Sequence, residues 1–149
     1  MSVKEFVLKK LEENRGIPLS GEAIANSLSV SRAAVWKAVR ALEAEGYHIE
    51  AVPNQGYTLC TDNDLLSTQG ILPYLTPPLK SREIRVFPCL PSTNQEAKRM
   101  ALESAEQGSA VLAEEQSAGR GRLGRSFFSP RGNGLYMSVI LRPKADVSN

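Results

Sequence analysis

Val3, Phe6, Val7 and Leu11 recur three and four residues apart, the period of one face of an α-helix, and predict an amphipathic helix over residues 3–14. Asn14-Arg15-Gly16 and Pro18 end it. Ser20 is placed to cap a second, short helix in which Ile24 and Leu28 share a face. After the tight connection Leu28-Ser29-Val30, Ser31 is placed to cap a third. In that helix Val35, Val39 and Leu42 form the inward stripe and Gly46 is the stop. The period then falls towards two. Tyr47 to Val52 alternates weakly, Pro53-Asn54-Gln55-Gly56 reads as a turn, and Tyr57-Thr58-Leu59 returns.

The pattern changes after Cys60. Asp62-Asn63 is placed to cap a short helix carrying Leu65, Leu66, Ile71 and Leu72, weakened by Gly70, before Pro73, Pro77 and Pro78 break the chain. Ile84–Phe87 reads as a strand. Ser92, with Gln95 three residues on, fits a capping box and opens a helix to about Ala105. A strand over Ser109–Glu115, a glycine-rich loop from Gln116 to about Asn133, and a strand over Gly134–Leu141 follow. The last strand carries Leu135, Met137, Val139 and Leu141 on one face.

Three helices and a hairpin make the layout of a winged helix-turn-helix. The expected class is therefore α+β. It comprises a winged helix at residues 1–62, a linker at 63–83, and an α/β unit with a mixed sheet at 84–149. Three strands with one helix leave a sheet face uncovered and an edge open, and a unit of this size buries little core unaided. Residues 84–149, with the polar tail Lys144–Asn149, thus read as the first part of a larger domain.

Composition narrows the class. Of 149 residues 42% are hydrophobic and 23% charged, which excludes wholesale disorder. Cys60 and Cys89 cannot make a disulfide scaffold or a CxxC metal motif, so a reduced, cytoplasmic protein without a metal site is expected. No apolar run approaches the length of a membrane span, and the N-terminus lacks the apolar core of a signal peptide. The lone His48 reads as structural, with no second ligand or base close to it in sequence.

The net charge of +2 hides an uneven distribution. Residues 1–62 are net −1, while Gln116 to Arg142 contains five arginines (120, 122, 125, 131 and 142) and no acid. The third helix can enter a major groove, offering Ser31, Arg32, Ala33, Trp36, Lys37 and Arg40. Asn54 and Gln55 at the wing tip offer backbone or minor-groove contacts. Trp36 is expected to be at least half core. Against DNA stands the acidic balance of the module, since winged helices also bind proteins.

Gly119-Arg120-Gly121-Arg122-Leu123-Gly124-Arg125 sets three arginines among three glycines. Glycine lets a ligand approach the backbone, and arginine offers a fixed fork for carboxylate and phosphate. By itself the run suits a small anion, an RNA-type segment or a charged surface loop. Its context adds to this. Ser92-Thr93-Asn94, then Glu115 to Arg125, then Phe128-Ser129-Pro130 and Gly134-Leu135-Tyr136-Met137-Ser138 resemble, in order and spacing, the biotin protein ligases. With the winged helix ahead, the chain resembles the bifunctional kind, the biotin operon repressor and biotin–[acetyl-CoA-carboxylase] ligase.

The resemblance implies activation of biotin by ATP with Mg²⁺ to biotinyl-5′-adenylate. It implies transfer to a lysine of the biotin carboxyl carrier domain of a carboxylase, and a homodimer that binds operator DNA when adenylate-loaded. By motif position it implies that Ser92, Thr93 and Gln116 hold biotin's ureido head, with Asn94 supporting the turn. It puts Gly119, Gly121 and the catalytic Arg120 and Arg122 over the carboxylate and activated phosphate. Gly124 and Arg125 would order the loop around the nucleotide, and Phe127 and Tyr136 would wall the pocket. In the family the loop is mobile when empty. Pro91 and Phe127 depart from the family pattern, and its Lys-Trp-Pro-Asn-Asp run, whose lysine binds the reacting groups, is not in this sequence. The polypeptide alone is therefore expected not to be a competent ligase. A stand-alone winged-helix regulator without ligase activity is the alternative.

Overall fold

The structure is a computed structural model and describes residues 1–143; the tail Lys144–Asn149 lies outside the described residues. Contacts divide the chain into two units, Met1–Tyr74 and Leu75–Asn149.

The first unit opens with α1 (Val3–Glu13), α2 (Gly21–Leu28) and α3 (Arg32–Ala44). Val7, Leu8 and Leu11 of α1 face Val35, Ala38, Val39 and Leu42 of α3 in one core. Val3 and Phe6, placed on the buried face by spacing, sit at its exposed margin instead. Ser20 and Ser31 accept hydrogen bonds from the amides of Ala23 and Ala34, as the capping pattern requires. Ser2 with Glu5 forms a reciprocal capping box on α1 that the periodicity did not single out.

The wing is an antiparallel hairpin, β1 (Ile49–Val52) and β2 (Gly56–Leu59), pairing Ile49 with Leu59 and Glu50 with Thr58. Leu19 exchanges amide–carbonyl bonds with Tyr57 (2.9 Å each), a single bridge on the edge of the hairpin. Gly56 is fixed by this approach. A Cβ there would lie 2.0 Å from the Leu19 carbonyl oxygen, and its φ of +114° is one that side chains disfavour.

The expected linker 63–83 does not behave as one segment. Asn63 and Ser67 are buried, and Leu65 packs on the first core. Ser67, rather than Asp62-Asn63, caps the helix that forms there, α4 (Thr68–Ile71). The tie to α1 is polar. Glu12, with a side chain only 2% exposed, takes two bonds from Arg15 (2.7 and 3.1 Å), and Arg15 also donates to the Asn63 carbonyl at 2.6 Å. Residues 63–74 thus belong with the first unit, because they close its lower edge.

In the second unit β3 (Ile84–Phe87), α5 (Thr93–Leu102), β4 (Ala110–Ala113) and β5 (Tyr136–Val139) form a mixed sheet in the order β3-β4-β5. The β3/β4 pair is parallel and β4/β5 antiparallel. The central strand β4 is buried throughout, as its Ala-Val-Leu-Ala run demands. Ala97 and Met100 of α5 pack with Val111, Ala113 and Ile140. Ser92 is the N-cap residue of α5 but its hydroxyl makes no capping bond, so the Ser92–Gln95 box does not form. Leu135, Met137, Val139 and Leu141 do share a face, and it is open: they are 58, 57, 45 and 73% exposed.

Candidate functional site

Two surfaces carry the candidate residues, one in each unit. On α3 the helical period that buries Val35, Ala38, Val39 and Leu42 turns Arg32, Ala33, Trp36, Lys37 and Arg40 outward, all exposed. Trp36 is 50% exposed, with the Arg40 guanidinium 5.6 Å from its ring centre, so it belongs to the outer face. Arg40 is also paired with Glu43 at 3.0 Å. Ser31 spends its hydroxyl on the helix cap. Asn54 and Gln55 stand exposed at the hairpin tip, with Asn54 at φ +61°.

In the second unit the glycine–arginine loop is a hydrogen-bonded hairpin. The Phe127 amide donates to the Gly119 carbonyl (2.8 Å) and the Gly121 amide to the Arg125 carbonyl (2.7 Å), with a 3₁₀ turn over Arg122–Gly124 at the tip. Gly124 takes a φ of +74° there with open space around it, and Leu123 is 93% exposed. Gly119 is buried where the hairpin crosses itself. A Cβ would meet the Phe127 carbonyl oxygen at 2.4 Å and Ser129 Oγ at 2.6 Å.

The hairpin sides an open cavity of about 780 Å³ lined by Asn94, Arg120, Gly121, Arg122, Arg125 and Phe127, among others. That volume is within the range of pockets that take cofactor-sized ligands, roughly 300–1,000 Å³. The five arginines of the acid-free interval divide by role. Three line the cavity. Arg131 pairs with Glu114 at 2.6 Å, and Arg142 donates to the carbonyls of Ala101 and Ala105 at the end of α5.

At the N-terminus of α5 lies a partly buried polar chain. Ser138 Oγ donates to Thr93 Oγ1 (3.0 Å), and the Thr93 hydroxyl and amide both donate to Gln116 Oε1 (3.1 and 2.8 Å). Gln116 Nε2 donates to Ser129 Oγ (3.1 Å), which donates to the Phe127 carbonyl (3.1 Å). Each link orients the next, so the network locks the Ser92-Thr93 turn to the base of the hairpin. Ser92 is buried beside it, and Gln116 is held between strands through backbone bridges to Leu90 and Ser129. Tyr136 packs on the core and donates its hydroxyl to the Pro130 carbonyl at 3.0 Å, away from the arginine cavity. In the sequence only register marks Ser138 for this role: it is two residues from Tyr136 and so on the same face of β5.

The chain thus carries a winged helix in its first unit and, in its second, a small mixed sheet with a guanidinium-lined cavity. Comparison with known families agrees. Residues 3–58 match the HTH domain family, and residues 86–149 match the biotin/lipoate A/B protein ligase family. The chain is similar to the bifunctional ligase/repressor BirA of Bacillus subtilis (strain 168), 40% identical over 125 residues, covering 84% of this chain and 38% of the relative. It is also similar to the protein of that name from Escherichia coli (strain K12), 39% identical over 123 residues, covering 83% of this chain and 37% of the relative. Its first unit carries the match to the HTH domain family and its second the match to the ligase family, the two parts in the order in which it is similar to these ligase/repressors. It spans less than two fifths of the length of these curated relatives. Among the described residues no helix is long and apolar enough to cross a membrane.

Proposed function

We propose that the chain carries, in the cytoplasm, the adenylate-binding and operator-binding parts of a biotin–[acetyl-CoA-carboxylase] ligase and biotin-responsive repressor, with the hairpin cavity as the adenylate site and α3 with the wing as the operator-binding surface. The observation that carries this reading is the convergence of Arg120, Arg122 and Arg125 on one cavity next to the partly buried Thr93–Gln116 network.

Biotin's carboxylate and ATP repel one another, and guanidinium groups offset that repulsion where charge develops. A biotin carboxylate oxygen attacks the α-phosphorus, the bond to pyrophosphate breaks, and a mixed anhydride forms. Arg120 and Arg122 neutralise the carboxylate and phosphate, and positioning does most of the rest. Ser92, Thr93 and Gln116 hold the ureido head, Asn94 supports the turn, and Phe127 is a wall; Tyr136, expected as a second wall, backs the site from the core instead. Gly119, Gly121 and Gly124 let the backbone close over the nucleotide, keeping water from the anhydride. A carrier lysine amine then attacks the carbonyl carbon, AMP leaves, and the amine gives its proton to solvent. The loop offers guanidinium and amide donors rather than carboxylates, so it fits phosphate and not Mg²⁺. The ion that accompanies ATP is held by the nucleotide's own phosphates. Because the Lys-Trp-Pro-Asn-Asp run is not in these 149 residues, the chain by itself is expected to hold the adenylate without making it.

Calorimetric titration with a hydrolysis-resistant biotinyl-adenylate analogue tests the reading. Saturable binding that weakens at least about tenfold in Arg122→Ala and in Gln116→Ala, but not in Lys37→Ala, is expected. No binding by the unaltered chain, or binding indifferent to both loop variants, overturns it. Operator binding that ignores the analogue would favour the stand-alone regulator.

A further inference from the structure

The β1–β2 hairpin brings together three groups that are far apart in the metal-motif sense. Cys60 donates its amide to the His48 carbonyl at 2.9 Å, one step beyond the Ile49–Leu59 pair, so His48 and Cys60 face each other across the strands. Glu50 is two residues from His48 and therefore on the same face of the ribbon. One donor atom from each of His48, Glu50 and Cys60 lies within 4.8 Å of the others. His48 and Glu50 are exposed and Cys60 is half-buried, so the cluster is open to solvent.

We propose that His48, Glu50 and Cys60 form a divalent transition-metal site on the wing, of the zinc type, with Asp62 orienting the imidazole. The donor set is one nitrogen, one sulfur and one carboxylate oxygen, a combination suited to zinc and not to magnesium or calcium, which take oxygen alone. Zinc–ligand distances of about 2.0–2.3 Å put the donors of a tetrahedral ion about 3.3–3.8 Å apart, so closing the cluster requires about an ångström of side-chain movement. Three protein ligands leave a fourth position for water.

Asp62 supplies a separate observation. Its Oδ1 lies 3.2 Å from His48 Nδ1. With Nδ1–H donated to that carboxylate, the lone pair sits on Nε2, the arrangement by which carboxylates fix metal-binding histidines. Burial, and then the Glu50 and Asp62 carboxylates, push the Cys60 thiol upward from its ordinary value. A bound cation reverses the electrostatic part of that balance. The thiol proton leaves to buffer as the sulfur–metal bond forms. Occupancy would clamp the two strands at the base of the wing and add positive charge to a module that is net negative.

The full chain is titrated with zinc chloride by calorimetry, and with cobalt(II) in its place to read the ligands. One equivalent bound and a near-ultraviolet thiolate-to-cobalt band are expected, both retained in Cys89→Ser. Cys60→Ser removes the band, and His48→Ala weakens zinc at least about tenfold, as does Asp62→Asn to a smaller degree. Absence of the thiolate band in the unaltered chain overturns the proposal without reference to any variant. So does a band lost in Cys89→Ser, or zinc binding unchanged by both His48→Ala and Cys60→Ser in proteins with native circular dichroism.

Discussion

Gly119 shows how one missing side chain shapes the loop. The atoms a Cβ would strike at 2.4 and 2.6 Å are a backbone carbonyl and a hydroxyl already committed to the Gln116 network. Neither can yield without breaking the hairpin, and overpacking of this kind costs about 1–3 kcal/mol. Gly119→Ala should therefore lose affinity for the adenylate analogue at least about tenfold while leaving the unfolding of Met1–Tyr74 unchanged; calorimetry and thermal melts measured together check this. At the other end, the Ser2 amide donates to the Glu5 carboxylate at 2.5 Å and, as the main cause, holds it below the ordinary carboxylate range. A depressed carboxyl stabilises the fold above its unfolded pKa, and the contribution is lost as pH falls through the folded value. Glu5→Gln should flatten the acid limb of a stability–pH curve below about pH 5, with little change in its shape at neutral pH, and Ser2→Ala should cost about 1 kcal/mol at pH 7. The glycines and arginines of the loop were legible in the sequence because their chemistry is local. Ser129 and Ser138 were not, because their partners are fixed only when Ser129 bridges Gln116 and β5 registers on β4.

At the scale of elements, capping signals and periodicity placed α1, α2 and α3, since each rests on hydrogen bonds within three residues and on one apolar stripe. They failed where a longer-range contact decides. The Ser92–Gln95 pattern is a capping box in sequence, yet the Ser92 hydroxyl makes no capping bond, and the first amide of the helix, that of Thr93, is taken by Gln116, 23 residues on. The expected linker helix forms one turn, later than expected, because Glu12, Arg15 and Asn63 tie the preceding segment to α1. This tie predicts a sharp mutational response. Arg15→Ala leaves the Glu12 carboxylate buried without its cation and should destabilise the first unit by about 3 kcal/mol. The double change Glu12→Leu with Arg15→Met removes both charges and should recover most of that loss. Chemical denaturation of the three proteins decides it: equal losses in the single and double variants would mean that the pair contributes packing and not charge compensation.

Across the whole molecule, the sign of the net charge says little and its placement a good deal. Met1–Tyr74 carries seven basic and nine acidic residues, so the proposed operator binding would rest on the short basic line of Arg32, Lys37 and Arg40. Each phosphate neutralised contributes about −0.9 to the slope of log K against log[salt]. Three contacts predict a slope of about −2.7 for one copy of the chain, and about twice that for two copies bound side by side. The three cations are not equivalent. Arg40 already faces Trp36 and Glu43 and must give up its Glu43 partner to reach a phosphate, so Lys37→Ala should weaken binding more than Arg40→Ala. Each should lower the slope by about 1. Fluorescence anisotropy with operator DNA between about 50 and 200 mM salt measures all of these. Adding the biotinyl-adenylate analogue completes the test. If occupancy of the arginine cavity drives two copies together on DNA, the slope should double, from about −2.7 to about −5.4, whereas a slope that stays near about −2.7 with the cavity filled would mean the two units act independently.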